Sequence, residues 1–422
     1  MKLFIENVGK FREASIDING ITVIAGENNT GKSTLGKVLY CLFTSMYDIE
    51  NKCAIEKFQY IDEKARMFLK ENKNDSGSLV LNRLRRLVRK QFRNEAHIDF
   101  KTYIERTIDN IRKEYDFYEE DKLKKLKIDL ESVLDIDLNE FAMSIFSDFV
   151  NQEFKNQFAN IKNPYPTLKF VISGEEFVVK AKNNNFETNK LFHSSNEVVY
   201  IDNPFVIDSR DVLFPWSFSE ENHQRKLYDK FYGKGTQHNK FDEILYFKKA
   251  DKVLEQINNV VAGQFKEDGS ELMFLEQGFD KPFHLKNLST GVKTFVIFKR
   301  LLEMQLIQEN GVIVLDEPEI HLHPAWQLLL AEIIVILQTE FNLHVLITTH
   351  SPYFLNAIEV FTAKYSIADR CRYYLTSVDN DSYAYIKDVT NSTDEIYYLL
   401  AMPMKRLSVL TNEVRKNNTN EG

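Results

Sequence analysis

An α/β fold with a helical insertion is what the sequence predicts, on three observations. A glycine loop follows an apolar β-run near the N-terminus and leads directly into a helical pattern. From Leu285 to about residue 400, runs of strand length alternate with stretches of helical period, as in sheets joined by helices. Between these parts, from about 55 to 160, the pattern is helical and highly charged.

Taken in order, residues 3–8 and 14–18 alternate as strands do, Asn19-Gly20 supplies a turn, and residues 21–25 (ITVIA) form an apolar β-run. Residues 35–46 place Leu35, Val38, Leu39 and Leu42 at helical spacing. In the charged region Ile104, Ile108, Ile111, Tyr115 and Tyr118 step by four and three over about two heptads, which predicts a helical hairpin and not a long coiled coil. Pro164 and Pro166 close that region, and residues 167–172 and 176–180 around Ser173-Gly174 read as a β-hairpin. Residues 197–201 (EVVYI) form a further strand, followed by an irregular aromatic stretch over 202–218. Residues 233–240 are a connector, a helix is expected over 241–261, and two strands are expected to flank Gly278. The expected organisation is an N-terminal part with the glycine loop (1–46), a helical insertion (47–163), β-hairpins with a helical segment (164–284), a C-terminal α/β part (285–410) and a polar, disordered tail (411–422).

The 422 residues allow two or three structural units at about 150 residues each. Lys and Arg total 54 against 62 Asp and Glu, a net charge of −8, which excludes a uniformly basic nucleic-acid binder and leaves room for a local basic surface. The longest apolar run, 328–337, is interrupted by Glu332 and falls short of the roughly 18 residues of a membrane span. Residues 1–6 lack the apolar stretch of a secretory signal. Cys41, Cys53 and Cys371 are odd in number and have no metal-ligand spacing, so the expectation is a cytoplasmic chain without a disulfide framework or a membrane partner.

The chemistry sits in four short segments. Gly26-Glu27-Asn28-Asn29-Thr30-Gly31-Lys32-Ser33 fits the P-loop pattern between a strand and a helix. Backbone N–H groups from Gly26 through Asn28, Asn29, Thr30, Gly31, Lys32, Ser33 and Thr34 would face phosphates, with Lys32 reaching the β and γ oxygens and the Ser33 hydroxyl ligating Mg²⁺. Residues 311–315 (GVIVL) end in Asp316-Glu317, which suits Asp316 for holding Mg²⁺ and Glu317 for orienting an attacking water. A second strand, 344–347, ends in Thr348-Thr349-His350-Ser351 and puts His350 within reach of a γ-phosphate. Asn287-Leu288-Ser289-Thr290-Gly291-Val292-Lys293 opens a helix of apolar period, where Ser289 alone reads as an N-cap. Ser289 lies 27 residues before Asp316, and His350 lies 34 after it.

This order of motifs resembles the ATP-binding-cassette (ABC) class of P-loop ATPases. GENNTGKS is similar to its Walker A motif, LSTGVK to its signature, VLDE to its Walker B motif, and His350 to its switch histidine. The run from Asp316 to Pro324, DEPEIHLHP, resembles the bacterial OLD-like and AAA-type members, including the Septu- and PARIS-type ATPases of anti-phage defence. The likeness covers about residues 1–46 and 285–356. It implies an ABC-type ATPase head with an N-terminal antiparallel β subdomain and a mostly parallel core sheet with helices. It further implies ATP and Mg²⁺ as ligands, with Lys32, Glu317 and His350 as the catalytic residues. Ser289 and Gly291 of one copy would complete the ATP site of another in a head-to-tail homodimer or larger homo-oligomer. Residues 320–323 would be the loop at the dimer seam, which accounts for the alternating Glu317, Glu319, His321 and His323 without a metal site.

The setting the resemblance implies is bacterial anti-phage defence, with the ATPase regulating or scaffolding a separate effector such as an HNH or Toprim nuclease. Lys32 and Ser289 stand 257 residues apart, longer than in transporter ATPases, and the long heptad arms of SMC-type proteins are missing. Only 72 residues follow His350, fewer than the Toprim domain of OLD nucleases needs, and Asp379 with Asp381 reads as a hairpin turn. A RecF-like DNA repair ATPase and a non-hydrolysing, ATP-bound scaffold are the alternatives.

One further feature is basic. Arg83, Arg85, Arg86, Arg89, Lys90 and Arg93 fall within eleven positions without an acid, and on a helix Arg86, Arg89, Lys90 and Arg93 share a face. That face suits a DNA or RNA backbone, an acidic partner surface, or plain solvation. Near the P-loop, Lys10 and Phe11 either approach an adenine or pack structurally. Phe205, Phe214, Trp216 and Phe218 read as core or interface.

Overall fold

The computed structural model describes residues 1–71, 99–114, 120–182, 185–194, 196–211, 222–233, 239–268 and 271–420. The chain divides into two units, Asp48–Ile145 and a sheet unit made of Met1–Tyr47 with Phe146–Gly422. The sheet unit begins with β1 (Lys2–Val8), β2 (Phe11–Asp17), β3 (Ile21–Gly26) and α1 (Lys32–Met46). The other unit holds α2 (Ile49–Glu71), α3 (Phe100–Glu114) and α4 (Glu120–Glu131), and α5 (Leu138–Phe154) runs through its end. The sheet unit resumes with β4 (Thr167–Ile172), β5 (Glu175–Lys182), β6 (Asn185–Thr188), β7 (Val199–Ile201) and a 3₁₀ helix (Pro204–Asp211). Next come α6 (His223–Tyr232), α7 (Lys240–Asn258), β8 (Gly263–Asp268), β9 (Glu271–Glu276), β10 (Phe283–His284) and α8 (Thr290–Glu303). The chain ends with β11 (Val312–Asp316), α9 (Pro324–Phe341), β12 (His344–Thr349), α10 (Pro352–Lys364), β13 (Cys371–Val378), β14 (Ala384–Asp388) and α11 (Asp394–Asn420).

Among the described residues, eleven strands form one mixed sheet in the order β6-β5-β4-β1-β2-β14-β13-β3-β12-β11-β7. The β6 to β2 half is antiparallel, and along β1 buried Leu3, Ile5 and Asn7 alternate with the more exposed Lys2, Phe4 and Glu6. The half from β13 to β7 is parallel, and every residue of β3 is buried, as a strand covered by helices on both faces must be. Helices α7 to α10 contribute the apolar residues packed with β3, β11 and β12 in the main core. Register then positions the chemistry: Ala25 pairs with Thr349, and Asp316 pairs with Thr348, so three strand ends carrying the motif loops lie side by side.

Several expectations need correction. The insertion ends at Ile145 and not at 163, because residues 146–163 belong to the sheet unit. Phe146 and Phe158 both meet Phe186 edge-on, and the Gly9 N–H donates to the Phe158 carbonyl at 2.8 Å. The boundary falls inside α5, where nothing in the periodicity marks it. The tail is helical, with α11 continuing to Asn420. Two strands precede Gly278, and the two-residue β10 follows it. Helix α9 is 18 residues long with a mean hydropathy of 1.2, so by length and composition it reaches the membrane-span range; half of it is buried within the protein, with Leu330 and residues 333–337 in the main core. The three cysteines are buried and, among the described residues, free.

Candidate active site

The P-loop leaves β3 and closes against the sheet. Gly31, at the N-cap of α1, is left-handed (φ 85°), and a Cβ there would stand 2.6 Å from the Phe11 ring, so glycine is required twice over. Phe11 is fully buried, which makes it core and removes it as an adenine contact. Lys10 donates to the Asn29 carbonyl at 3.2 Å. The buried Thr30 hydroxyl meets the Glu27 carbonyl and the Thr376 hydroxyl, each at 2.7 Å, which pins the loop to β13. Lys32 is buried and folds back on its own loop, donating to the carbonyls of Gly26 at 3.1 Å and Glu27 at 2.8 Å. Burial lowers its pKa, while Glu317, Asp316 and Glu319 pull it back up.

The acidic pair meets the loop across the sheet. Ser33 Oγ donates to Asp316 Oδ1 at 3.1 Å. Thr348 Oγ1 also donates to Oδ1, and the Tyr200 hydroxyl donates to Oδ2 at 3.0 Å. Three donors thus converge on one carboxylate. Glu317 turns the chain in the left-handed region (φ 51°), a conformation that costs about 1–2 kcal/mol in a non-glycine residue. Its N–H is held by the Thr348 carbonyl and hydroxyl, both at 3.1 Å. Its carboxylate lies 3.8 Å from Lys32 Nζ and 3.4 Å from His350 Nδ1. Glu319 is buried and accepts from the Thr349 hydroxyl and, at 3.4 Å, from the His350 N–H, so it braces the loop carrying His350. Burial pushes the Glu319 pKa up against those hydrogen bonds.

A family model described as "AAA domain, putative AbiEii toxin, Type IV TA system" matches residues 21–356. The chain belongs to this family. It is a P-loop ATPase of the AAA kind, a family that binds ATP and typically Mg²⁺. Solved structures similar to this AAA domain include an SMC head domain from Thermotoga maritima, at 13% identity and TM-score 0.38, over 92% of this chain and 98% of that one. Another is an Smc head bound to the C-winged helix domain of ScpA, at 9% identity and TM-score 0.46, over 93% and 98%. A third is an Smc head domain with an extended coiled coil bound to the C-terminal domain of ScpA, derived from Pyrococcus furiosus, at 11% identity and TM-score 0.40, over 98% of each chain.

The hard oxygen donors Ser33 Oγ and Asp316 Oδ1, already within 3.1 Å of each other at a phosphate-binding loop, fit a Mg²⁺ site of this AAA domain. Lys32, Glu317 and His350 form one contact chain, and the Thr348 hydroxyl, which donates to Asp316 and accepts from the Glu317 N–H, joins it to Ser33 and Asp316. Ser289 and Gly291 belong to a different cluster: Ser289 is exposed at the N-cap of α8 and its side chain caps nothing, while Gly291 is buried against Trp326 and the His321 carbonyl. His323 N-caps α9, its Nδ1 accepting from the Ala325 N–H at 3.3 Å. Asp379 is a turn residue whose Oδ1 accepts from the N–H groups of Asp381 and Tyr383. Arg83 to Arg93, with Arg86, Arg89 and Lys90 between them, lie outside the described residues, as do Tyr115, Tyr118, Phe214, Trp216 and Phe218.

Sequence reasoning missed Thr376, Thr348, Tyr200 and the buried His223. His223 sits between Glu153, at 2.7 Å from Nδ1, and Asp202, at 2.9 Å from Nε2, with its ring 4.3 Å from that of Tyr200. Thr348 is visible beside His350, and Tyr200 at the end of an apolar run, but neither has a motif to mark it.

Proposed function

We propose that this chain hydrolyses ATP with Mg²⁺ and that two copies close head to tail when ATP binds. The observation that carries the reading is Glu317, held at once within 3.8 Å of the P-loop lysine and 3.4 Å of His350. Bound Mg²⁺ would supply charge neutralisation at the β and γ phosphates, held through Ser33 and Asp316. Lys32 would exchange its loop carbonyls for phosphate oxygens. Glu317 then orients a water and takes its proton as the water oxygen attacks the γ phosphorus and the bond to the ADP oxygen breaks. His350 shares the Glu317 carboxylate and is the group poised to sense the γ-phosphate. Exposed Ser289, at the start of α8, is free to contribute to the nucleotide of a second copy.

The finer setting is regulation of a separate effector, a nuclease, in bacterial anti-phage defence. The DEPEIHLHP run and the toxin–antitoxin description of the family support a role alongside a second component. The test is the light-scattering mass of Glu317→Gln with and without ATP and Mg²⁺. A nucleotide-dependent doubling is the expected result. A mass that ignores nucleotide in this variant removes the ATP-driven dimer, and equal phosphate release by wild type and variant removes Glu317 from the chemistry.

A further inference from the structure

We propose that Tyr200 is a positioning residue for the metal carboxylate, its hydroxyl fixing the rotation of Asp316 so that Oδ1 faces Ser33. The inference rests on the Mg²⁺–ATP reading above. Tyr200 is fully buried on β7, next to β11 in the parallel sheet, and its hydroxyl donates to Asp316 Oδ2 at 3.0 Å. Ser33 and Thr348 both donate to the other oxygen, so Tyr200 alone engages Oδ2 among the described hydrogen bonds. A carboxylate gripped on both oxygens has one orientation, and a metal that accepts few protein ligands depends on that orientation.

The surroundings hold the phenol in place. Its ring is flanked by His223 at 4.3 Å and, edge-on, by Tyr40 at 5.9 Å between centroids. His223 is in turn locked between Glu153 and Asp202, so it cannot swing away. The hydroxyl fits over Gly36 of α1, where a Cβ would come within 3.3 Å of it and 2.8 Å of Val314. Gly36 is thus the gap through which a residue of β7 reaches the site beneath the P-loop helix.

The test uses the full chain, a non-hydrolysable ATP analogue and Mn²⁺ as a paramagnetic probe for Mg²⁺, read by electron paramagnetic resonance. Tyr200→Phe removes one oxygen and is expected to weaken Mn²⁺ about tenfold, while analogue affinity in EDTA stays at the wild-type value. Gly36→Ala combined with Val314→Ala, which relieves the closer clash on β11 and leaves the hydroxyl crowded, is expected to shift Mn²⁺ affinity in the same direction relative to Val314→Ala alone, and it carries the test if Tyr200→Phe does not fold. Unchanged Mn²⁺ affinity in a folded Tyr200→Phe overturns the proposal and leaves the nucleotide reading intact. Equal losses of Mn²⁺ and of metal-free analogue binding also overturn it, since they describe a residue needed only for structure. A wild-type chain that binds no analogue would defeat the nucleotide reading first, and this inference with it.

Discussion

A buried imidazole between two carboxylates is most stable when charged, and His223 shows how that preference becomes a dependence on pH. Burial lowers its pKa, but the hydrogen bonds and charges of Asp202 and Glu153 outweigh burial and raise it from 6.5 to about 9. The folded state therefore holds a proton that the unfolded chain releases between these values. The resulting stabilisation, about 3 kcal/mol, is fully present below pH 6.5 and is lost as pH rises through 9. His344 has the opposite sign: burial, with the N-terminus and Arg370 nearby, lowers it to about 4, so stability falls as pH drops from 6.5 toward 4. Melting temperature against pH is expected to peak near neutrality, with the alkaline decline between 6.5 and 9 abolished in His223→Gln. An alkaline slope unchanged in that variant would show that His223 is not its source. None of this is legible from the sequence, because Glu153, Asp202 and His223 share no motif and 70 residues separate the histidine from its glutamate.

At the scale of elements, the segment after β7 ties the helix that begins at Ser289 to the loop before α9. Lys293 of α8 donates to Asp208 Oδ2 at 2.6 Å and to the Lys286 carbonyl at 3.1 Å, and its ammonium lies 5.2 Å from the Phe205 ring centroid. Phe205 meets His321 edge-on at 5.8 Å, and that histidine is left-handed (φ 72°). The Asp208 carboxylate is about a quarter exposed and its Oδ1 is buried without a partner among the described residues, so removing the lysine leaves a poorly compensated charge. Lys293→Met is expected to cost about 2 kcal/mol in urea unfolding, less than a fully buried pair because of that exposure. Asp208→Asn added to it should recover part of the loss, and no recovery would show that the charge is not the cause. Strands were the most legible elements here, β3, β11 and β12 above all, because a strand buried on both faces is written as a continuous apolar run. The 3₁₀ helix Pro204–Asp211 was not, because its partners come from α8 and from the loop before α9.

At the scale of the whole molecule, the unit Asp48–Ile145 has an apolar core of its own among the described residues. Within Asp48–Ile145, Ile61, Ala65 and Leu69 of α2 pack with Ile104, Ile108 and Ile111 of α3 and Leu123, Leu126 and Leu130 of α4. A unit with its own apolar interior can in principle fold alone. A fragment spanning residues 48–137 is expected to give a helical circular dichroism spectrum and a cooperative melt. A non-cooperative melt would place the stability of those helices in the rest of the chain. The isoleucine steps along α3 were legible as a helical hairpin, because helical period is a property of neighbouring residues. The end of the insertion was not, because α5 passes through it without a change of period.

By itself the sequence determined the α/β class, the P-loop, the acidic pair after β11 and the histidine after β12, since each is written in consecutive residues whose spacing has a local physical meaning. Only the tertiary structure decided what those residues touch. Register in the parallel sheet set Asp316 beside Thr348, and the sheet order brought β7 against β11 so that Tyr200 reaches Asp316 across 116 residues. It likewise joined Thr30 to Thr376 across 346 residues and buried Phe11 against Gly31. Hydrogen bonds between distant segments depend on strand order and register, and periodicity along one segment holds no record of either.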